Sequence, residues 1–127
     1  MSADLVIVGA GPAGVSAALW AHSFGISTVV LEAGETAGGQ LHHIHHPVAN
    51  LAGAGGGEGP ALARAMTGEL ASSGIEVRYG MKAVGLDSLS PMVLFEGGAS
   101  ITGSAVLVAT GVRRRRLEVP GERALEG

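Results

Sequence analysis

The sequence predicts a domain of the α/β class, with three layers and a parallel sheet at the centre. In the first 31 residues, two short apolar runs enclose a stretch of helical composition, which is typical of a βαβ unit. Between residues 81 and 102, short alternating segments are separated by turn residues, which indicates a small antiparallel meander. We therefore expect helices on one side of the sheet and the meander on the other.

The first three elements follow from apolar runs and a helix stop signal. Residues 5–8 form a continuous apolar run, which is typical of a strand buried on both faces of a parallel sheet. Residues 15–24 are rich in Ala and Leu and predict a helix, and Gly25 stands where a helix commonly ends. Residues 28–31 are β-branched and apolar, so they predict a second buried strand that completes the βαβ unit.

The middle of the chain predicts a loop and then a second helix. Residues 33–59 are rich in glycine and predict an irregular connection. Pro60 stands at the favoured first position of a helix, and apolar residues recur at helical spacing from there to Leu70. Gly74 ends this helix, and residues 75–79 predict a third strand.

The last part of the chain predicts the meander and one more strand. The meander strands are expected at residues 83–86, 92–95 and 100–102, and a last buried strand at residues 105–109. We expect the domain to occupy residues 1–111 and a polar tail to occupy residues 112–127.

Composition narrows the possible functions. The chain has no cysteine, which excludes disulfides, thiolate nucleophiles, Cys-ligated zinc and iron–sulfur clusters for these residues. A net charge of −3 gives no reason to expect nucleic acid as a partner. The first residues lack the features of a signal peptide, and no apolar run approaches the roughly 18 residues of a membrane span. We expect a cytoplasmic protein with no nucleic-acid or membrane partner.

A glycine fingerprint follows the first predicted strand. Gly9, Gly11 and Gly14 match G-x-G-x-x-G, and Glu32 ends the second strand 23 residues after Gly9. The first glycine permits a tight turn, the second allows a pyrophosphate to approach the backbone, and the third lets the helix pack on the strand. The context predicts the first βαβ unit of a Rossmann-type dinucleotide-binding fold.

Glu32 is expected to accept hydrogen bonds from an adenosine ribose. Its charge would repel a 2′-phosphate, so the site should disfavour NADP, whereas FAD and NAD both use this fingerprint. The alternative is a tight turn that binds nothing, but such a turn alone does not require an acid at this spacing.

Further motifs follow the fingerprint in a defined order. Glu32 and Ala33 precede a Gly-Gly-Gln-Leu segment that ends at Leu41. A loop containing Asn50 and an Ala-Thr-Gly segment that ends at Gly111 come later. In this order the motifs resemble the FAD domain of the thioredoxin reductase-like family, within the pyridine nucleotide-disulfide oxidoreductase superfamily. The resemblance covers essentially the entire chain.

The resemblance implies FAD as the cofactor and a set of residues that hold it. These residues are Gly9, Gly11, Pro12, Ala13, Gly14, Glu32, Ala33, Gly39, Gln40, Leu41, Asn50, Val84, Ala109, Thr110 and Gly111. By resemblance, residues 11–13 contact the pyrophosphate, Val84 flanks the adenine, and residues 110–111 close the site. Gly39, Gln40 and Asn50 would lie near the ribityl chain and the flavin ring. Ordinary loop capping remains the alternative for Gln40 and Asn50.

The sequence also departs from the family. The family continues into an NAD(P)H domain with a second glycine fingerprint and, in disulfide reductases, a Cys pair, and then returns through a Gly-Asp segment; this sequence contains none of these. We therefore expect a redox module, or a subunit of a divided oxidoreductase, that uses a separate electron donor and does not by itself reduce disulfides. A homodimer or a partner subunit would cover the flavin. The alternatives are a non-catalytic FAD-binding module and a vestigial, truncated reductase, and no side chain is identified as catalytic.

A histidine run follows the Gly-Gly-Gln-Leu segment. His42, His43, His45 and His46 could share a metal ion, but no carboxylate lies within the run, and we expect no dedicated metal site. One of them could serve as a proton or hydrogen-bond donor near the flavin. Ordinary loop positions are the remaining interpretation.

Four consecutive arginines, Arg113, Arg114, Arg115 and Arg116, follow the Ala-Thr-Gly segment. Such a run is most often solvated, and neighbouring glutamates offset its charge. Contact with a partner or with an acidic group of a ligand is the second interpretation. Nucleic acid is disfavoured because no aromatic stacking platform accompanies the run.

Overall fold

The computed structural model describes residues 3–51, 56–87, 89–113 and 115–125. In chain order its elements are β1 (Ala3–Val8), α1 (Pro12–Ser23), β2 (Thr28–Leu31), a 3₁₀ helix (Gly39–His43), α2 (Gly59–Ser73), β3 (Glu76–Arg78), β4 (Ala83–Asp87), β5 (Met92–Phe95), β6 (Ser100–Val108) and α3 (Glu122–Leu125). None of the described helices is both long and apolar enough to cross a membrane.

The strands form one mixed sheet in the order β3-β2-β1-β6-β5-β4. The pairs β1–β2, β2–β3 and β1–β6 are parallel, whereas β4–β5 and β5–β6 are antiparallel. The chain therefore proceeds outward from β1 through β2 to β3 and later returns to the other side of β1. This reversal creates a topological switch point between β1 and β6, where ligands of open α/β sheets bind beyond the carboxyl ends of the strands.

Two apolar clusters lie on opposite faces of the sheet. On one face, Val6 and Val8 of β1 pack with the meander residues Val93, Phe95 and Ile101. On the other face, Ile7 of β1 and Val30 of β2 pack in a second cluster with residues of the two longer helices. The helix residues are Val15 and Ala18 of α1 and Leu70 of α2. The alternation along β1 thus separates the layers, and the predicted three-layer α/β architecture is confirmed.

Both longer helices begin with a proline in the first turn and are followed by a glycine of positive φ. The first begins at Pro12 and is followed by Gly25 with φ of 71°, and the second is followed by Gly74 with φ of 74°. The first helix therefore starts three residues before the predicted position 15. This places Pro12, Ala13 and Gly14 inside its first turn, directly after β1.

The prediction of a separate, buried last strand was wrong. The predicted segments 100–102 and 105–109 form one continuous strand, β6, which pairs first with β5 and then with β1. Gly103 lies at the change of partner, where an added Cβ would come within 2.8 Å of the Val6 side chain. Because the pairing with β5 ends at Thr102, the described residues give the second half of β6 a neighbour on one edge only. Val108, the last residue of β6, is 61% exposed.

Short-range hydrogen bonds join the end of β4 to two of the residues that precede β5. The Asp87 carboxylate accepts hydrogen bonds from the Leu89 N–H and the Ser90 hydroxyl, each at 2.9 Å. The Leu89 hydrogen bond, followed by that of Ser90, lowers the pKa of Asp87 below its ordinary value. These bonds therefore favour the folded state above the pKa of unfolded aspartate, and their contribution is lost as the pH falls through the folded pKa.

Two hydrogen bonds to one carboxylate hold part of the segment after β6. The Glu122 carboxylate accepts the N–H groups of Leu117 and Glu118, each at 2.8 Å, at the start of α3. The domain boundary at residue 111 stays a prediction.

Candidate functional site

The carboxyl ends of β1, β2 and β6 meet at one edge of the sheet and enclose a cavity of about 350 Å³. The residues lining it are Val8, Gly9, Leu31, Glu32, Ala33, Met81, Lys82, Ala83, Thr110, Gly111 and Arg113. A larger cavity of about 560 Å³ lies within residues 116–124. Its walls come from one short segment and include no residue at the carboxyl ends of the strands, so the cavity between the strands is the better candidate for a ligand site.

Two of the three fingerprint glycines are required by the fold itself. Gly9 has a φ of 106°, and an added Cβ would overlap the carbonyl oxygen of Ala109. An added Cβ on Gly14 would overlap the carbonyl oxygen of Gly9. These glycines therefore let the turn, the first helix and the end of β6 approach one another closely.

Gly11 differs because neither its backbone nor its surroundings require a glycine. Its φ of −72° and ψ of −179° are open to any residue. An added Cβ would meet no atom within 4 Å. Gly11 is the N-cap of α1 and has no side chain to cap the helix, and Pro12 has no N–H, so the first N–H groups of the helix, those of Ala13 and Gly14, receive no side-chain cap from the N-cap residue. The geometry leaves room for a ligand to approach the backbone at this helix N-terminus.

Glu32 is tied to the glycine turn. One carboxylate oxygen accepts the Ala10 N–H at 2.7 Å, and the other accepts the Gly34 N–H at 2.8 Å. The turn itself therefore uses the acid, so an acid at this spacing does not by itself exclude a turn that binds nothing. Each carboxylate oxygen retains a second lone pair, so both can still accept hydrogen bonds from ribose hydroxyls.

The Gly-Gly-Gln-Leu segment packs directly on the fingerprint. The Gly38 N–H donates to the Ala10 carbonyl at 2.8 Å, and an added Cβ on Gly39 would lie 3.2 Å from the Gly11 Cα. Both glycines have positive φ, 118° for Gly38 and 53° for Gly39. Leu41 is buried and anchors the segment. The segment therefore forms a second wall beside the helix N-terminus.

Gln40 links this wall to the end of β6. Its side-chain amide donates a hydrogen bond to the carbonyl of Val112, one residue after Gly111. Ala109 is joined to β1 through its N–H, which donates to the Val8 carbonyl at 2.8 Å. The structure thus brings together three predicted site segments, residues 9–14, 39–41 and 109–111, although they are widely separated in sequence.

Two further predicted residues, Val84 and Asn50, are both exposed. Val84 is 60% exposed, and its neighbours Met81, Lys82 and Ala83 line the cavity. Asn50 lies in an exposed loop. Their contacts with a cofactor stay predictions.

Several cavity residues escaped the sequence reasoning. Met81 donates its N–H to the Glu32 carbonyl at 2.8 Å, and Lys82 forms an ion pair with Glu96 at 3.1 Å. Arg113, for which contact with an acidic group of a ligand was one interpretation, also lines the cavity. No local motif marks Met81 or Lys82, because their place depends on pairing between distant segments.

The histidine run divides into one held residue and three exposed residues. The His42 ring nitrogen Nε2 lies 2.9 Å from the Ala37 carbonyl oxygen and 3.2 Å from the Thr36 hydroxyl. His43, His45 and His46 are exposed. Among the described residues, no three metal-ligating side chains lie close enough together to hold an ion.

The helix N-terminus, the acid at the end of β2 and the switch-point cavity define a dinucleotide-binding domain of the α/β class. The family described as pyridine nucleotide-disulphide oxidoreductase matches residues 3–127, and the chain belongs to this family. This match, together with the relatives described next, confirms the resemblance of the chain to the Rossmann-like FAD domain of the thioredoxin reductase-like family.

Curated relatives include thioredoxin reductase of Bacillus subtilis, which is 33% identical over 124 residues, covering 98% of this chain and 39% of that protein. Thioredoxin reductase of Listeria innocua is 32% identical over 124 residues, covering 98% of this chain and 38% of that protein. Among solved structures, Lactococcus lactis thioredoxin reductase has a TM-score of 0.81 at 31% identity, covering 96% of this chain and 40% of that chain. The chain thus spans about two-fifths of the length of these relatives.

Proposed function

We propose that this chain binds FAD in the crevice between β1, β2 and β6. The observation that carries the proposal is Gly11, a glycine that neither the backbone conformation nor the packing requires. Its free space lies where the first N–H groups of α1 favour an anion, and a pyrophosphate fits both features.

The other predicted residues supply the remaining contacts of the proposed site. Glu32 has lone pairs left for the hydroxyl groups of an adenosine ribose, and its carboxylate is held in place by Ala10 and Gly34. Gly39 packs on Gly11 and Gln40 follows it on the second wall, and by resemblance to the family the ribityl chain and flavin ring would pass along this wall. Asn50 and Val84 complete the proposal by resemblance only.

The proposed role is that of a redox module or a subunit of a divided oxidoreductase. The flavin would supply the redox chemistry when bound, and the chain would bind it, orient it and set its electrostatic surroundings. These residues include no cysteine, so a dithiol would have to come from outside them, and a separate electron donor is part of the proposal. A cytoplasmic location, expected from the sequence, belongs to the same proposal.

The proposal includes a second subunit that covers the flavin. The described residues leave the outer edge of Ala105 to Val108 unpaired, and the apolar side chains of Val108, at the end of β6, and of Val112, four residues further on, are 61% and 77% exposed. An unpaired strand edge with exposed apolar side chains favours association with another strand. We expect a homodimer or a complex with a partner, and light scattering with and without FAD tests the homodimer. A monomer under both conditions would contradict the homodimer, and a different polypeptide would then have to cover the flavin.

The proposed function predicts selectivity among nucleotides. FAD should bind more tightly than FMN, because FMN lacks the adenosine diphosphate half that the helix N-terminus and Glu32 would hold. ADP should compete with FAD, whereas adenosine carrying both a 2′-phosphate and a diphosphate should compete less well because Glu32 repels the 2′-phosphate. Fluorescence titration with each ligand measures these affinities. FMN affinity equal to that of FAD would contradict the assignment of the adenosine site.

A further inference from the structure

His42 is the member of its run that has a defined environment. Its ring is half-buried, and Nε2 lies 2.9 Å from the carbonyl oxygen of Ala37. The Thr36 hydroxyl oxygen lies 3.2 Å from the same nitrogen. The next histidine, His43, is exposed. The sequence alone does not separate these neighbours, because both are loop histidines directly after Leu41.

The hydrogen-bond partner of Nε2 determines whether this nitrogen carries a hydrogen. A backbone carbonyl can only accept a hydrogen bond, so Nε2 of His42 carries the hydrogen and donates it to Ala37. Both the neutral tautomer with hydrogen on Nε2 and the imidazolium present this donor. The contact therefore requires a donor at the position of Nε2 and does not require a charge.

Ala37 stands at the base of the second wall of the site. It is fully buried and belongs to the core cluster that contains Ile7 and Val15. The following residue, Gly38, donates its N–H to the Ala10 carbonyl at 2.8 Å, and Gly39 packs on Gly11. A bond that holds the Ala37 carbonyl thus fixes the residues that brace the glycine turn.

We propose that His42 is a positioning residue for the dinucleotide site, an inference that rests on the proposed function. Its Nε2–H holds the loop of residues 36–39 in the conformation that places Gly38 on Ala10 and Gly39 on Gly11. His42 reaches the cofactor only through this loop, and the space beside Gly11 keeps its shape because the loop is fixed. The other histidines of the run take no part in this arrangement.

Three variants test the inference. His42→Leu removes the donor at similar volume, whereas His42→Gln places an amide N–H near the former position of Nε2. His43→Leu is the matched control, because it removes an exposed neighbouring histidine. We expect His42→Leu to weaken FAD binding about 10-fold, the equivalent of one net hydrogen bond, while His42→Gln and His43→Leu stay near wild type.

A second measurement examines the loop without FAD. Hydrogen exchange of the Gly38 N–H should accelerate in His42→Leu, while the amides of Val6 and Val29 in the core strands keep their protection. His42→Gln should restore the protection of Gly38. This readout separates the loss of one contact from a general loss of stability.

The outcomes are distinguishable. Wild-type affinity in His42→Leu would overturn the inference and leave FAD binding by the wild type intact. Equal acceleration at Gly38 and in the core strands would also overturn it, because His42 would then support the fold as a whole. Failure of the wild type to bind FAD would contradict the proposed function and, with it, a role for His42 in that site.

Discussion

Gly11→Val is expected to abolish measurable FAD binding and to leave the apoprotein folded. The added side chain would occupy the open space at the N-terminus of α1, where the pyrophosphate is proposed to approach. Loss of two charge-assisted hydrogen bonds at roughly 1.5–3 kcal/mol each corresponds to a loss in affinity of at least about 100-fold. Flavin fluorescence titration measures the affinity, and urea unfolding of the apoprotein measures the stability.

Gly14→Ala is the matched control for this variant. Its new Cβ would overlap the Gly9 carbonyl oxygen, so we expect this substitution to lower the free energy of unfolding by about 1–3 kcal/mol or more, the usual range for overpacking. The two variants thus distinguish a glycine that is needed for the approach of the ligand from a glycine that is needed for the stability of the fold. FAD binding by Gly11→Val at wild-type affinity would show that the ligand does not approach this turn.

Glu32→Ala is expected to affect both FAD binding and stability. The carboxylate accepts the N–H groups of Ala10 and Gly34, so its removal leaves the N–H of the buried Ala10 without this partner, at a cost of about 1–3 kcal/mol. In the proposed complex, each lost hydrogen bond to the ribose costs roughly another 1.5–3 kcal/mol of binding free energy. Urea unfolding of the apoprotein and FAD titration measure the two effects separately.

Glu35→Ala provides the control, because Glu35 is a neighbouring but exposed acid of the same loop. It should change neither the affinity nor the stability appreciably. If Glu32→Ala lost stability but kept its FAD affinity, Glu32 would serve the turn alone. The ribose assignment would then be wrong.

Local sequence patterns predicted those elements whose neighbours are close in the chain. The second strand is found at Thr28–Leu31 as expected, because a short β-branched run after a helix stop has few other solutions. The separation of β6 into two strands failed because Gly103 interrupts its apolar pattern. Its continuity depends on a change of partner from β5 to β1, and such long-range pairing leaves no local signal.

The sequence predicted the glycines of the candidate site but not the contacts between segments that are distant in the chain. The spacing of Gly9, Gly11 and Gly14 identified the turn, but only Gly14 has its steric reason close in the chain, at the Gly9 carbonyl, whereas Gly9 makes room for the distant Ala109. The spacing did not reveal that Glu32 also holds the turn, since this depends on the approach of Ala10 to the end of β2. Met81 was likewise missed, because it reaches the cavity through a backbone contact with Glu32.

The central claim is FAD binding, and the visible absorption spectrum of the purified protein tests it most directly. After the spectrum is recorded, the cofactor is released by denaturation and identified chromatographically. We predict either yellow protein that releases FAD, or apoprotein that acquires the spectrum of bound flavin when FAD is added. Reduction of the bound flavin by light and its reoxidation by a partner would then test the redox role. Colourless protein that also fails to bind added FAD would contradict the account.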